Sequence, residues 1–250
     1  MKIAFLFLAF ALVAVAHASD YNFKEPFTQS APFNANGAVT LSNVNGSVTI
    51  KTWDKNEILI EGEKSAKTAE ELKLIDLAMD IAPARVTIKT SLPKRPGFWH
   101  DTIRAAVRFT ITVPANAVLE KIASVNAAID LDGVRGTVHA ESVNGGIHAT
   151  NLAASAHLET VNGSIHAAFT SIAKGQKIDA KTVNGRIDLS LPQDAGASLQ
   201  ADVVNGNVHC DFPLTLGQSS RGRHLEGKIG DGRATVTLES VNGSIRIASR

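Results

Sequence analysis

Val143-Asn144-Gly145-Gly146-Ile147 is followed by Val161-Asn162-Gly163-Ser164-Ile165, then by Val183-Asn184-Gly185-Arg186-Ile187 and Val204-Asn205-Gly206-Asn207-Val208. Working outward, the same pentad stands at Val44-Asn45-Gly46-Ser47-Val48, Val125-Asn126-Ala127-Ala128-Ile129 and Val241-Asn242-Gly243-Ser244-Ile245. Successive valines lie 81, 18, 18, 22, 21 and 37 residues apart. Four consecutive intervals near twenty mark a repeat architecture, in which each unit buries its apolar face only by stacking on its neighbours.

Asn-Gly is also the strongest short signal for a β-hairpin. Against a plain meander, the flanking positions agree between copies rather than between the two arms of one copy. Five and three residues before the valines stand Val39 and Leu41, Val138 and Ala140, Ala156 and Leu158, Ile178 and Ala180, Leu199 and Ala201, Val236 and Leu238. Two residues before them the column is mainly polar: Ser42, Ala123, Glu141, Glu159, Lys181, Asp202, Glu239. That alternation is a half-buried strand. An apolar residue four places after each valine, Val48 or Ile147 for example, returns the chain to the same core.

The reading is an all-β, single-chain β-solenoid (β-helix) of about 18–22-residue coils with Asn-Gly corners. Stacking at strand spacing of about 4.8 Å would align Asn45, Asn126, Asn144, Asn162, Asn184, Asn205 and Asn242 as a structural ladder, each amide donating to the next. The glycines would supply positive φ at the corners. Asn45, Asn162 and Asn242 also fit the N-glycosylation sequon, but a repeat corner explains them more economically.

The first part of the chain is less regular. Residues 37–50 make one coil, and Glu57–Glu61, Arg85–Thr90 and Arg104–Val113 read as strands. Thr68-Ala69-Glu70-Glu71 is a capping box opening a short helix with Leu72, Ile75 and Met79 on one face, a cap for the open end of the stack. Met1-Lys2 followed by an apolar run and Ala16-His17-Ala18 is the pattern of a Sec-type signal peptide over residues 1–18. The expected division is that leader, residues 19–118 as N-terminal strands, first coil and helix, and 119–250 as regular coils. A Gly- and Ser-rich hairpin or flap at 213–233 is expected to leave the stack, and 19–250 to form one structural domain.

Without residues 1–18 the chain carries 24 Lys+Arg against 24 Asp+Glu. Bulk steering to nucleic acid or anionic lipid is not expected, and no later stretch is apolar enough for a membrane span. Cys210 is the single cysteine, so no intrachain disulfide forms, and its alternation with Val208 and Phe212 points to a buried thiol.

With the repeat laid out, the chain resembles the bacterial DUF4097 family, β-strand-repeat proteins called adhesins by analogy. The resemblance is carried by the serial Val-Asn-Gly corners, by Phe109-Thr110-Ile111-Thr112-Val113-Pro114, and by Leu225–Gly232 followed by Leu238–Ile245. It covers roughly residues 35–248, departing at Asn126-Ala127, where a looser corner is expected. It implies an exported protein of the cell envelope and offers no shared catalytic residue.

The residues themselves offer little chemistry. The acids Asp130, Glu141, Glu159, Asp188 and Asp202 are scattered among lysines, with no acid pair of the kind glycoside cleavage needs. His139, His148, His157 and His166 recur every nine residues, so His139 should stack on His157 and His148 on His166. They are candidate metal ligands, but two imidazoles without a further donor make a poor site, and an exposed ladder is the preferred reading. Lys94, Arg95, Phe98 and Trp99 place two cations beside two aromatics, the composition of a partner-binding loop. The same aromatics could instead plug the end of the stack. The expectation is a non-enzymatic, adhesin-like envelope protein without a cofactor, in the periplasm or at the cell surface, binding a protein or glycan. A carbohydrate-active β-helix enzyme and a purely structural envelope component are the rivals.

Overall fold

The computed structural model describes residues 21–92, 104–220 and 222–250. The leader at 1–18 and the loop holding Lys94, Arg95, Phe98 and Trp99 lie outside the described residues. Among those described, strands form two long sheets, one of ten and one of eleven strands. In each repeat unit one strand lies in the eleven-stranded sheet and the next, past the corner, in the ten-stranded sheet. Val138–Ser142 and Ile147–Leu152 are such a pair, as are Ala156–Asn162 and Ile165–Phe169. Neighbouring units pair in parallel and in register, with Val138 opposite Ala156 and Ile147 opposite Ile165. The inward residues of both sheets make one core, from Val39 and Leu41 to Val236, Leu238, Ile245 and Ile247.

The spatial order of the units is not the sequence order. Ala234–Asn242 lies between Lys177–Asn184 and Ala197–Asn205. Its continuation Ile245–Ser249 lies between Ile187–Leu191 and Val208–Cys210. The last pentad is thus wedged between the fifth and sixth. At the other end Arg85–Ser91 pairs in parallel with Ala38–Asn45, and Ala105–Pro114 with Val48–Trp53, forming a further unit without a pentad.

The asparagines follow this spatial order. Asn126 Nδ2 donates to Asn45 Oδ1 at 2.9 Å, Asn144 to Asn126 at 2.8 Å, Asn162 to Asn144 at 2.9 Å and Asn184 to Asn162 at 2.8 Å. Asn242 donates to Asn184 and Asn205 to Asn242, both at 2.8 Å. Asn45 Nδ2 closes the row on the Ala105 carbonyl at 2.9 Å. Asn126 keeps its place despite Ala127, so that corner is no looser than the rest.

The glycine requirement differs from the sequence expectation. Positive φ is found at Gly46 (102°) and Gly206 (154°) but not at the corner glycines Gly145, Gly163, Gly185 and Gly243. At those four a Cβ would drive into the carbonyl of the corner stacked beneath it, so close backbone approach excludes a side chain.

A second row of hydrogen bonds runs inside the corners. The residue before each valine is buried, and at four of these positions its hydroxyl reaches a carbonyl of the unit stacked beneath it. Ser142 Oγ donates to Ala127 O at 3.0 Å, Thr160 Oγ1 to Gly145 O at 2.8 Å, Thr182 Oγ1 to Gly163 O at 2.9 Å and Ser240 Oγ to Gly185 O at 3.2 Å. Ser124 Oγ has no partner, and the Gly46 carbonyl of the unit beneath it accepts from Asn43 Nδ2 at 2.8 Å instead. Thr182→Val keeps the branched shape and orphans the Gly163 carbonyl. It is expected to cost about 1–2 kcal/mol in urea unfolding, whereas Val203→Thr, where valine holds the hydroxyl position, is expected to cost less than half as much.

Two further expectations are corrected. The helix spans only Ala69–Lys73, capped by the Thr68 hydroxyl. Met79 is on the strand Asp76–Ala82, because the chain reverses there to pair antiparallel with Arg85–Ser91. The 213–233 segment does not leave the stack. Its strands Thr215–Ser220 and His224–Ile229 form a hairpin that continues the eleven-stranded sheet, antiparallel to Ala197–Asn205.

Candidate binding face

The outer side of the eleven-stranded sheet is built by strand alternation alone. Since the positions five, three and one before each valine point inward, the valine shares the outward side with the charged position two before it. Val125, Val143, Val161, Val183, Val241 and Val204 therefore form a row across six strands, each 37–58% exposed. Repetition of an apolar residue invites a core assignment; its even spacing from Glu141, Glu159, Lys181 and Glu239 was the available sign of exposure.

Beside the valines, Glu141, Glu159, Lys181, Glu239 and Asp202 stand opposite one another strand by strand. Lys121 reaches Glu141 at 2.8 Å, and Lys181 reaches Glu239 at 3.2 Å. The hydrogen bond from Lys121 holds the Glu141 carboxyl below its ordinary range, against the effect of burial. Between the two rows run open grooves, one of about 420 Å³ around Val125, Val143 and Val161, another of about 560 Å³ around Val183, Val204 and Val241.

At the hairpin end, His224 Nδ1 lies 2.6 Å from Asp202 Oδ1. The bond to Asp202 raises the His224 pKa. Burial alone would push Asp202 up, but the hydrogen bonds from His224 and Gln200 outweigh it and hold the carboxyl below its ordinary value. The histidine's contribution is complete below its ordinary 6.5 and fades as pH rises through its raised folded value. The aspartate's is complete above its ordinary 3.8 and fades as pH falls through its lowered one. The clasp between hairpin and sheet is therefore strongest from about pH 4 to 6.5. In an NMR titration the His224 ring should show a midpoint above that of a free imidazole, and Asp202→Asn should remove most of the rise, leaving the smaller part due to Glu226.

The ten-stranded sheet carries the other histidine pair. His148 stacks on His166 with centroids 5.0 Å apart, flanked by Asp130 and Asp188. His139 meets His157 edge-on at 4.8 Å on the opposite sheet, and His157 Nδ1 contacts Asp179 at 3.0 Å. The four histidines are thus split between two faces, and no cluster of three or more His, Cys, Asp or Glu fit for a metal is found among the described residues. The acids divide likewise, Asp130 and Asp188 on one sheet and Glu141, Glu159 and Asp202 on the other. Cys210 is half-buried, and burial raises its thiol pKa.

A family model described as Toastrack DUF4097 matches residues 39–248. The chain belongs to the DUF4097 family. This DUF4097 chain is similar to the structure of a "putative cell adhesion protein" from Clostridium sporogenes at 14% identity and TM-score 0.48, covering 90% of this chain and 100% of that one. It is also similar to a "putative adhesin" from Bacteroides fragilis at 13% identity and TM-score 0.36, covering 89% and 97%. Among curated proteins nothing matches it. Among its described residues, no helix is long and apolar enough to cross a membrane.

Proposed function

We propose that this DUF4097 chain is an exported, non-enzymatic, adhesin-like protein of the cell envelope that holds a protein or glycan partner on the outer face of its eleven-stranded sheet. The observation that carries this reading is the unbroken valine row beside a charged row, an extended surface with shallow grooves. An apolar stripe of this length in water is a mark of an interaction surface. Lys121 engages Glu141 at 2.8 Å and Lys181 engages Glu239 at 3.2 Å, which counts against the neighbouring carboxylates Glu141 with Glu159, or Glu239 with Asp202, serving as the general acid and base of glycan cleavage.

In this reading the units are coils of a β-solenoid with Asn-Gly corners, forming one domain over 19–250. Residues 19–118 hold the irregular end with its short helix as cap, and 119–250 the regular coils. A signal peptide at 1–18 delivers the chain to the periplasm or cell surface, without a cofactor. Lys94, Arg95, Phe98 and Trp99 form a second contact, and the asparagine row and histidine columns are structural.

The test is a titration of the chain from Ser19 against purified envelope proteins and glycans, with released reducing ends assayed in parallel. Saturable binding without turnover is the expected result. Turnover of any glycan would replace the binding reading with the enzymatic one.

A further inference from the structure

We infer that the valine row and its acidic neighbour row form a docking track for a basic, apolar-studded segment of a partner protein. The inference rests on the binding reading above and narrows it to one face and one ligand chemistry.

The apolar half of the argument is geometric. Six valines at strand spacing span about 24 Å, the length of a helix of about sixteen residues. The track is straight because the strands are in register, Asn162 opposite Asn184 and Asn184 opposite Asn242. Apolar side chains repeating along one side of a segment can therefore meet a valine at every step. On one side the valines are bounded by the asparagine row, whose amides are engaged with each other and present no charge.

The other side is electrostatic. Glu141, Glu159, Glu239 and Asp202 stand in one row with Lys181 alone among them, and Lys121 is engaged with Glu141. Lys181 is engaged with Glu239 and His224 with Asp202, so the four carboxylates face two lysines and the His224 ring, and Glu159 is left without a lysine within ion-pair distance among the described residues. Glu159, with a side chain 52% exposed, has His157 at 3.7 Å as its one ion-pair contact among the described residues, with Lys181 opposite it on the next strand. Cations spaced along a bound segment would complete this row, the charge complementarity that sets partner choice and encounter rate.

The same charges exclude the other occupants. A second copy laid face to face would bring one acidic row against the other. An anionic lipid surface would be repelled by it. A neutral glycan would find no aromatic platform on this face among the described residues.

The experiment titrates a basic peptide of about sixteen residues, Leu and Lys arranged with leucine along one helical face, into the chain from Ser19. Parallel arms use the same peptide with Glu for Lys and phosphatidylglycerol vesicles. Variants are Val161→Thr with Val183→Thr, which keep the branched strand shape, Glu159→Gln with Glu239→Gln, and Asp188→Asn on the opposite sheet as control. Circular dichroism checks that each is folded.

The expected result is saturable binding of the basic peptide, weakened about tenfold or more by either face pair, unchanged by Asp188→Asn and weakened by salt. The Glu peptide and the vesicles should not bind. Equal affinity of the face variants, equal binding of the Glu peptide, or preference for the vesicles would overturn the docking track. Failure here with retained binding of an envelope component would overturn this assignment alone and leave the binding function standing. Failure of both removes the proposed function itself.

Discussion

Deleting Arg233–Arg250 is expected to abolish the cooperative fold of everything from Ala197 onward, not to trim one unit from the end. In a stack laid down in sequence order, the last unit has one neighbour, and its loss exposes one interface. Here the last unit has two. Ala234–Asn242 is paired on both edges, and so is Ile245–Ser249. Val236, Leu238, Ile245 and Ile247 are fully buried. At roughly 1.5–3 kcal/mol for each buried side chain, removing those four alone withdraws about 6–12 kcal/mol as an upper estimate. That is comparable to the whole net stability of an ordinary domain. The units holding Asn184 and Asn205 would face each other across an empty strand position, with no register to close it. Hydrogen exchange should show the amides of Ala197–Asn205 unprotected in the truncated chain while Val138–Ser142 stays protected. Protection of both strands at the level of the full chain would contradict the wedge.

The second large effect is expected from a single methyl group. Gly185→Ala places a Cβ against the carbonyl of Gly163 and close to Ser164 N, both backbone atoms of the stacked corner below. Neither can rotate away, so the two units must separate, and the 2.8 Å bond from Asn184 to Asn162 and the Thr182 bond to Gly163 stretch with them. Where the new residue fits, Gly→Ala stabilises by about 0.4–1 kcal/mol. Here the sign reverses, and a loss of about 3 kcal/mol or more is expected from overpacking. Ala127→Gly is the matched control, since alanine already sits in that corner with Asn126 bonded on both sides. It should cost no more than about 1 kcal/mol. Equal midpoints for Gly185→Ala and the parent chain in urea would show that corner spacing is not fixed by backbone contact.

The contrast between those two corners shows what could be read from the residues and what could not. Alternation around the pentads was enough to place Val39, Leu41, Leu158 and Ile165 inside, because burial of one face forces period two on every strand. The same alternation places the valines outside, on the side of the charged column two residues before them. The hydroxyl row at Ser142, Thr160, Thr182 and Ser240 was visible as a column, yet its partners are backbone carbonyls of another unit, which no side-chain pattern records. The wedge was hidden for a different reason. Parallel neighbours are chosen by which edge is free when the chain returns, and the 37-residue interval looks the same whether its unit adds to the end or enters a gap. Similarly, the sequence marked Arg85 and Val107 as strand residues but held no pentad to show that they form a unit of the same stack.

The candidate site shares this division. Charges and valines of the binding face are written in the repeat, while their convergence depends on registers such as Glu159 opposite Lys181 and Lys181 opposite Glu239. The histidine columns could be read from their spacing, but not that His148 and His166 would lie on one sheet and His139 and His157 on the other with different acids beside them.

The most direct test is side-chain footprinting of the chain from Ser19 by hydroxyl radicals, alone and saturated with an envelope component that binds it. The account predicts that Val143, Val161, Val183 and Val241 lose reactivity in the complex while His148 and His166, on the opposite sheet, keep theirs. Protection of the histidine face with the valines still fully reactive would contradict it.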